Sequence, residues 1–305
     1  MIIINRPYHD DRDLPRMRAF LADHWRVFGP AGGYFHPGDL LWWRRALFID
    51  FAPEERVALW EGPDGALLGF AWFYPHHCSV VLMVHRDRRG EGTIERLMLA
   101  WAEERRQTLD DPPPLSVSVF GDGDPIRPIV VAEGFAPTDQ QPMLCLARDL
   151  AVPIPDVAPA AGFTVRHVGG EEEFAERVAV HRDVWIPPNF TIEAYRTIRA
   201  LDGFAPDLDL VAVAPDGRIA AYAIAWPDDV SGTAEFEPVG ARAEFRRRGL
   251  TQAVLYEGLR RMRARGLHTG FVCCNTDPAC ALYHSVGFRE VGREETYQRV
   301  EGGPR

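Results

Sequence analysis

An apolar pattern with helical spacing follows a strand-like run near residue 250 of the chain. The run 233–241 (TAEFEPVGA) mixes β-branched and aromatic residues with acidic ones, which predicts a strand with two carboxylates on one face. After it, apolar residues recur at the period of an amphipathic helix, at Leu250, Val254, Leu255, Leu259 and Met262. The junction between strand and helix is Arg246-Arg247-Arg248-Gly249-Leu250-Thr251. Unpaired N–H groups, the helix dipole and the arginines predict an anion site at this junction.

The two halves of the chain share this pattern. A Pro-Asp-Gly turn leads into an apolar strand at 63–65 and again 152 positions later at 215–217. Gly134-Phe135 returns 153 positions later as Gly287-Phe288, and the run 88–93 (RRGEGT) resembles the junction, with Gly90 and Gly249 159 positions apart. Three similar offsets in the same order indicate a duplicated domain.

The order of elements within each half predicts an α/β (α+β) fold. Each half reads as a short strand, one or two helices, a hairpin, a strand, a helix, a strand, a short helix and a last strand. We therefore expect two tandem domains, each with a mixed, mostly antiparallel twisted sheet flanked by helices. The predicted boundaries are 1–150 for the first domain, a proline-rich linker at 151–161, and 162–305 for the second.

Composition restricts the classes of function. The chain has 305 residues, a formal net charge of -10 and 34 basic residues, all of them arginine. The acidic balance argues against a general nucleic-acid binder, and the absence of lysine excludes a GxxxxGK[ST] phosphate loop. No window is apolar enough to span a membrane, and we expect a cytoplasmic protein that binds no membrane. The five cysteines form no CxxC pair, so buried reduced thiols and no metal site are expected.

Residues 235–300 resemble the GNAT superfamily of acyl-coenzyme A dependent N-acyltransferases. The family's phosphate signature, Gln/Arg-x-x-Gly-x-Gly/Ala at a strand-to-helix junction, is similar to Arg246-x-x-Gly249-x-Thr251. Threonine departs from the small residue at the last position, although its hydroxyl is able to donate to a phosphate. The family's downstream pattern is matched by Asn275, by Ala279 or Ala281, by Leu282-Tyr283 and by Gly287-Phe288.

The resemblance implies a site for acetyl-coenzyme A, without a metal. The backbone of the junction would hold the pyrophosphate, and the end of the preceding strand would pair with the pantetheine amides, with the Val239 N–H as oxyanion donor. The residues assigned to the coenzyme on this basis are Val239, Gly240, Ala241, Arg246, Arg247, Arg248, Gly249, Leu250, Thr251 and Asn275.

Three residues are candidates for proton transfer. The family uses a tyrosine on the helix after the fifth strand as general acid, and Tyr283 matches that position. For the general base, Glu235 and Glu237 share a strand face while Phe236 points to the other, and Glu237 is nearer to the phosphate junction. Either carboxylate remains a candidate for the base.

The first half lacks part of this pattern. Asp87 stands where the family has Gln or Arg, and Val130 where the second half has Tyr283. We therefore expect a degenerate domain at 1–150, whose binding of coenzyme is left open, and a catalytic domain at 162–305. This layout is similar to tandem GNAT proteins, including those that acetylate mycothiol precursors.

The resemblance implies an acetyl-coenzyme A dependent N-acetyltransferase, in which a primary amine of a small molecule or peptide attacks directly in a ternary complex. A non-catalytic acyl-coenzyme A binding or sensor module is the alternative. The oligomeric state is left open between monomer and homodimer. Aromatic residues and histidines of both halves are candidates for lining an acceptor cleft: Tyr34, Phe35, His36, Trp42, Trp43, His181, Trp185, Phe190 and Tyr195.

Overall fold

A computed structural model describes residues 2–46, 52–121, 123–186 and 188–300. The strands in chain order are β1 Ile4–Pro7, β2 Val57–Glu61, β3 Leu67–Tyr74, β4 Ser79–Val84, β5 Ser116–Val119, β6 Phe135–Pro137, β7 Met143–Asp149, β8 Thr164–His167, β9 Asp209–Val213, β10 Ile219–Asp228, β11 Thr233–Ala241, β12 Thr269–Cys274 and β13 Arg289–Arg299. The helices are α1 Asp10–Phe28, α2 Pro37–Ala46, α3 Pro53–Arg56, α4 Thr93–Arg106, α5 Arg127–Ala132, α6 Phe174–Val184, α7 Ile192–Arg199, α8 Leu250–Ala264 and α9 Asp277–Val286.

The chain forms two compact units, each with a mixed sheet and helices. The amino unit comprises Met1–Tyr34, Asp50–Cys145 and Val291–Arg305, and the carboxyl unit comprises Phe35–Ile49 and Leu146–Glu290. The predicted α/β class with mixed, mostly antiparallel sheets is confirmed. The units depart from simple chain order at two segments, since 35–49 joins the carboxyl unit and the chain from Val291 onward joins the amino unit.

The amino unit has the strand order β1-β2-β3-β4-β5-β13. Neighbouring strands are antiparallel except for β4 and β5, which are parallel. The predicted hairpin at the first Pro-Asp-Gly turn is the β2–β3 pair. Apolar residues of these strands and of α4 form one core, which includes Trp60, Phe73, Leu82, Met98 and Tyr297.

The carboxyl unit repeats this arrangement, with the strand order β7-β12-β11-β10-β9-β8. The pairs from β8 to β11 are antiparallel, and β11 and β12 are parallel. The predicted strand at 233–241 and the helix start at Leu250 are both confirmed. Helix α8 packs closely on one face of β11, because a Cβ at Gly258 would lie 2.6 Å from a ring carbon of Phe236. Among the described residues, no helix is both long and apolar enough to cross a membrane.

The last strand of the chain completes the amino unit. In β13, Tyr297 pairs with Val117 of β5 and with Pro137 of β6. Its side chain is 4% exposed and lies in the core of that unit. The sequence places the last strand of each half in its own domain, but hydrogen bonding to β5 and burial of Tyr297 draw β13 to the other unit.

Replacement of Tyr297 by alanine should therefore destabilise the amino unit. Removing a buried aromatic ring costs about 3–5 kcal/mol, through lost burial and the cavity left behind. Amide hydrogen exchange should show faster exchange in β4 and β5 and unchanged exchange in β10 and β11. Val291→Ala, on a partly exposed side chain of the same strand, is the control. Loss of protection confined to β10 and β11 would contradict the placement of β13.

Candidate active site

Strand β11 extends beyond its pairing with β12. Among the described residues, the parallel pairing of these strands covers only Thr233–Glu235 with Thr269–Phe271. Pairing of β11 with β10 continues to Ala241, with a bulge opposite Ala223–Ala225. The edge of β11 beyond Glu235 therefore has N–H and C=O groups that β12 does not satisfy, as an extended ligand requires.

The junction loop lies at the end of this edge. Arg247 and Gly249 both have left-handed φ values, 63° and 71°, and Gly249 caps α8. The first intrahelical bond runs from the Ala253 N–H to the Gly249 carbonyl (3.0 Å), so the N–H groups of the preceding turn remain for a ligand. The Arg246 Nε donates to the Ala241 carbonyl at 3.1 Å, which ties the loop to the strand end. The loop thus has the geometry and charge of an anion site.

The corresponding loop of the amino unit is closed by its own carboxylate. Gly92 caps α4 with a φ of 84°, as Gly249 caps α8. The fully buried Glu95 accepts the N–H of Gly90 at 2.6 Å and that of Gly92 at 3.1 Å. Helix α8 has no acidic residue in its first turn. Two backbone donors available to an anion in the carboxyl unit are therefore already paired in the amino unit.

Aligning the two cap glycines corrects one comparison made from sequence. When Gly92 is aligned with Gly249, the residue that corresponds to Arg246 is Arg89 and not Asp87. The Arg89 guanidinium, however, donates to Asp124 (2.7 Å) and stacks over the Tyr34 ring at 4.2 Å. Arg89 is therefore held within the amino unit's core and does not extend over its loop.

Glu237 lies beyond the point where the strands part. Its backbone carbonyl accepts the indole N–H of Trp226 at 2.6 Å. Its side chain is half-buried on the strand. Burial, and next the negative charge of Asp39, raise the pKa of the Glu237 carboxyl to about 8. A carboxyl with this pKa can take a proton from an amine near neutral pH.

Glu235 has a different environment. It is 2% exposed and lies within the paired part of β11, opposite Phe271 of β12. One carboxylate oxygen is 3.5 Å from His36 Nδ1. Phe236, between the two glutamates, packs against Phe288 with ring centroids 6.3 Å apart. Glu235 is thus enclosed beside a histidine, whereas Glu237 lies where the strands have diverged.

Tyr283 lies on α9, which follows β12. It is 6% exposed and contacts Phe288 edge to face at 6.0 Å. Burial, and next the charge of Glu237, raise the pKa of the Tyr283 phenol above its ordinary value. Tyr283 therefore keeps its proton throughout the physiological range and lies within electrostatic reach of Glu237.

The end of β12 is covalently joined to α9. Cys274 and Cys280 form a disulfide, so the expectation that all the cysteines are reduced is wrong for this pair, which the fold brings together across the turn into α9. Of the remaining cysteines, Cys78 and Cys145 are buried and Cys273 is partly buried. Asn275, assigned to the coenzyme from sequence, is exposed between β12 and α9. Among the described residues, no group of three or more potential metal ligands occurs.

Helix α2 is the part of the site that sequence reasoning did not place. It comes from the first half of the chain and packs on β10, β11 and α7 of the carboxyl unit. Asp39, the neighbour that acts on Glu237, was not among the candidates. The only sequence signal for this segment was His36, three residues before Asp39, as a candidate for lining an acceptor cleft. The buried Arg242 was also missed; it binds Asp183 of α6 at 2.6 Å and fixes the end of β11.

The aromatic candidates separate between the two units. Trp42, Phe190, His181 and Tyr222 pack together in the carboxyl unit, and the Trp185 indole N–H and His181 Nδ1 each lie 2.8 Å from the Tyr222 hydroxyl. Tyr195 is fully buried, and its ring contacts Phe190 edge to face. Tyr34, in contrast, belongs to the amino unit, where it stacks on His24. Phe35 packs on Trp43, with ring centroids 5.3 Å apart.

Comparison with known proteins finds similarity in the second half of the chain. Residues 175–288 match the Acetyltransferase (GNAT) family. A mycothiol acetyltransferase of Clavibacter michiganensis subsp. michiganensis is 36% identical over 99 residues, which are 32% of this chain. The match spans about a third of that relative's length.

Two solved structures resemble nearly the whole chain. A GCN5-related N-acetyltransferase from Sphaerobacter thermophilus has a TM-score of 0.64 at 20% identity, covering 97% of this chain and 95% of that one. A tandem GNAT protein from the clavulanic acid biosynthesis pathway has a TM-score of 0.65 at 19% identity and covers 100% of both chains. At these identities the likeness concerns the fold alone, which is similar to that of both proteins over nearly their whole length.

Replacement of Gly249 by valine should weaken coenzyme binding at least tenfold, the loss expected for one hydrogen bond to a charged group. A β-branched residue at this left-handed position strains the backbone and moves the N–H groups that follow. Titration calorimetry with acetyl-coenzyme A measures the effect. Gly217→Val is the matched control, since Gly217 also has a left-handed φ (85°) with open space around its Cα. Equal affinity in the two variants would contradict the phosphate assignment of the loop.

Proposed function

We propose that the segment similar to the acetyltransferase (GNAT) family, residues 175–288, transfers an acetyl group from acetyl-coenzyme A to a primary amine. The observation that carries the proposal is that Glu237 lies on β11 two residues beyond its described pairing with β12, with Tyr283 on α9 within electrostatic reach of Glu237. One group is suited to accept a proton and the other to donate one.

The proposed coenzyme site runs from the edge of β11 to the start of α8. The strand edge from Val239 to Ala241 that faces away from β10 suits the amides of the pantetheine arm, as edge strands bind extended ligands. The loop from Arg246 to Thr251 suits the pyrophosphate, because a helix N-terminus and arginines favour negative charge. The thioester would then lie near the place where β11 and β12 part.

The paired loop of the amino unit supports a single coenzyme site per chain. Glu95 occupies the Gly90 and Gly92 N–H groups with a carboxylate, and a phosphate at the same place would meet that negative charge. The amino unit would then have a structural role, and the carboxyl unit would carry the reaction. This assigns the degenerate and catalytic roles to the two halves of the chain.

Glu237 is the proposed general base. An alkylammonium must lose a proton before its nitrogen can attack, and Glu237, with a pKa of about 8, is matched to that transfer near neutral pH. Glu235 is a weaker candidate, since it is 2% exposed and enclosed beside His36. The nitrogen then attacks the thioester carbonyl carbon in the ternary complex.

Tyr283 is the proposed general acid. When the tetrahedral adduct collapses, the C–S bond breaks and Tyr283 gives its proton to the leaving sulfur. The adduct nitrogen loses its second proton, which restores the phenol of Tyr283. The balanced reaction converts an ammonium and acetyl-coenzyme A into an amide, the free thiol and one proton, the proton leaving through Glu237. Because the Tyr283 phenol is protonated throughout the physiological range, it can donate its proton at any pH in that range.

The pH profile tests the role of Glu237. Only the ionised carboxylate accepts a proton, so kcat/KM should rise with pH through about 8. Two amines of different pKa should show this limb at the same pH. Glu237→Gln should lower kcat by about 10²–10⁴-fold and abolish the limb, the range measured for general bases. Glu235→Gln is the matched control and should keep the limb; its loss there instead would assign the base to Glu235.

Replacement of Tyr283 by phenylalanine should lower kcat about 100-fold, the low end for loss of a general acid. The dissociation constant for acetyl-coenzyme A should stay within about twofold, because the ring remains packed on Phe288. Rates of thiol release and calorimetry measure the two quantities. Tyr256→Phe, on the hydroxyl that donates to the Ser285 carbonyl, is the control. An unchanged kcat at saturating substrates would remove Tyr283 from the mechanism.

A further inference from the structure

The last turn of α6 is attached to the end of β11 through consecutive residues. Asp183 accepts the Arg242 guanidinium at 2.6 Å, just beyond the strand. Val184 packs on Gly240, where a Cβ would lie 2.9 Å from the valine Cγ1. Trp185 follows as the C-cap of the helix. Trp185 is therefore held beside the strand segment that is proposed to pair with the pantetheine arm.

The Trp185 indole is anchored from inside the carboxyl unit. Its N–H donates to the Tyr222 hydroxyl at 2.8 Å, and its ring stacks on His181 with centroids 6.2 Å apart and 26° between the planes. Tyr222 is fully buried, and the Arg177 guanidinium lies 4.0 Å from the centre of its ring. Arg177 is in turn paired with the buried Asp209 at 3.0 Å. One buried network thus fixes the position of the indole.

The anchored indole is nevertheless exposed to solvent. Trp185 is 43% exposed, and Ile186, the next residue, is 93% exposed. An aromatic side chain that is already held in place loses little conformational entropy on binding, and its ring favours contact with another aromatic ring. A stable protein–protein interface buries about 800 Å² on each partner, far more than these two side chains expose. The indole therefore suits a small ligand better than a second protein.

The indole and the proposed base lie on the same face of the sheet. Phe236 points to α8, because its ring would contact a Cβ at Gly258, whereas Gly240 points to Val184 of α6. Glu237 follows Phe236 and so lies on the α6 face, since side chains alternate along a strand. The β-bulge in this part of β11 brings Gly240 to that same face. At about 3.3 Å per residue, Gly240 is about 7–10 Å from Glu237, a distance that a small molecule can span.

We propose that Trp185 is an acceptor-binding residue, and that the acceptor is a primary amine that carries an aromatic ring. The ring stacks on the exposed face of the indole while the amine nitrogen lies at Glu237. Binding removes apolar surface of both rings from water, which favours this acceptor over an amine without a ring. This inference rests on the proposed function and adds the class of acceptor to it.

The variant Trp185→Ala tests the assignment. Thiol release is measured with acetyl-coenzyme A and two amines that differ only in the ring, phenylpropylamine and propylamine. The ratio of their kcat/KM values, with the ring over without it, should fall about tenfold in the variant, the effect of losing one aromatic contact and its burial. Calorimetry of phenylpropylamine with protein saturated with coenzyme A needs no turnover, and the dissociation constant should rise by a similar factor.

Controls separate ring binding from folding. Trp185→Phe keeps an aromatic ring and should retain most of the wild-type ratio. Val230→Ala removes another exposed apolar side chain of the same unit, at the turn between β10 and β11, and should leave the ratio at its wild-type value. The dissociation constant for acetyl-coenzyme A should match the wild type in each variant. If Trp185→Ala fails to fold, Trp185→Leu, which keeps an apolar side chain without a ring, takes its place with the same expected fall.

The outcomes distinguish this inference from the proposed function. Wild-type protein that releases no thiol with any amine would overturn the proposed function itself, and the calorimetric comparison would still decide whether Trp185 binds the ring. Wild-type activity with an unchanged ratio and unchanged binding in Trp185→Ala would overturn only the role of Trp185. An equal loss for the two amines would also overturn it, since only one of them carries a ring.

Discussion

The proposed chemistry of the carboxyl unit depends on one constraint, the short pairing of the two parallel strands β11 and β12. Where they pair, at Thr233–Glu235, side chains are enclosed, and Glu235 contacts His36. Beyond Glu235 the described pairing with β12 ends, and Glu237 lies on this part of the strand. The loop that starts α8 lies at the end of the same edge, tied to it by Arg246. In the proposed mechanism, this backbone arrangement would bring an extended thioester and a base to one place.

The cost of this arrangement is a carboxyl group in a poorly solvated site. Burial and Asp39 both disfavour the ionised form of Glu237, which raises its pKa to about 8. Such a group destabilises the fold as pH rises from its unfolded pKa towards 8, because the unfolded chain releases the proton earlier. In the proposed mechanism the same shift suits proton transfer from an amine, so Glu237 would lower the stability of the fold and favour the reaction.

The sequence predicted those features that depend on local periodicity. The strand at 233–241 and the start of α8 follow from alternation, helical spacing and a glycine cap, and they agree with the structure. Side-chain alternation also separated Phe236 from the two glutamates. The placements of α2 and β13 were not predictable in this way, because each depends on contacts with residues more than 100 positions away. Asp39 was missed for that reason, and the Cys274–Cys280 disulfide because its thiols meet only once α9 has folded.

The most direct test of the proposed acetyl transfer is a quantitative balance of thiol and product. The protein is mixed with acetyl-coenzyme A and each amine of a panel, free thiol is followed continuously, and the acetylated amine is measured by mass spectrometry. The proposed mechanism requires thiol release that depends on the amine and equals the amide formed. Tight binding of acetyl-coenzyme A without thiol release for any amine would contradict it and would favour a binding or sensor module.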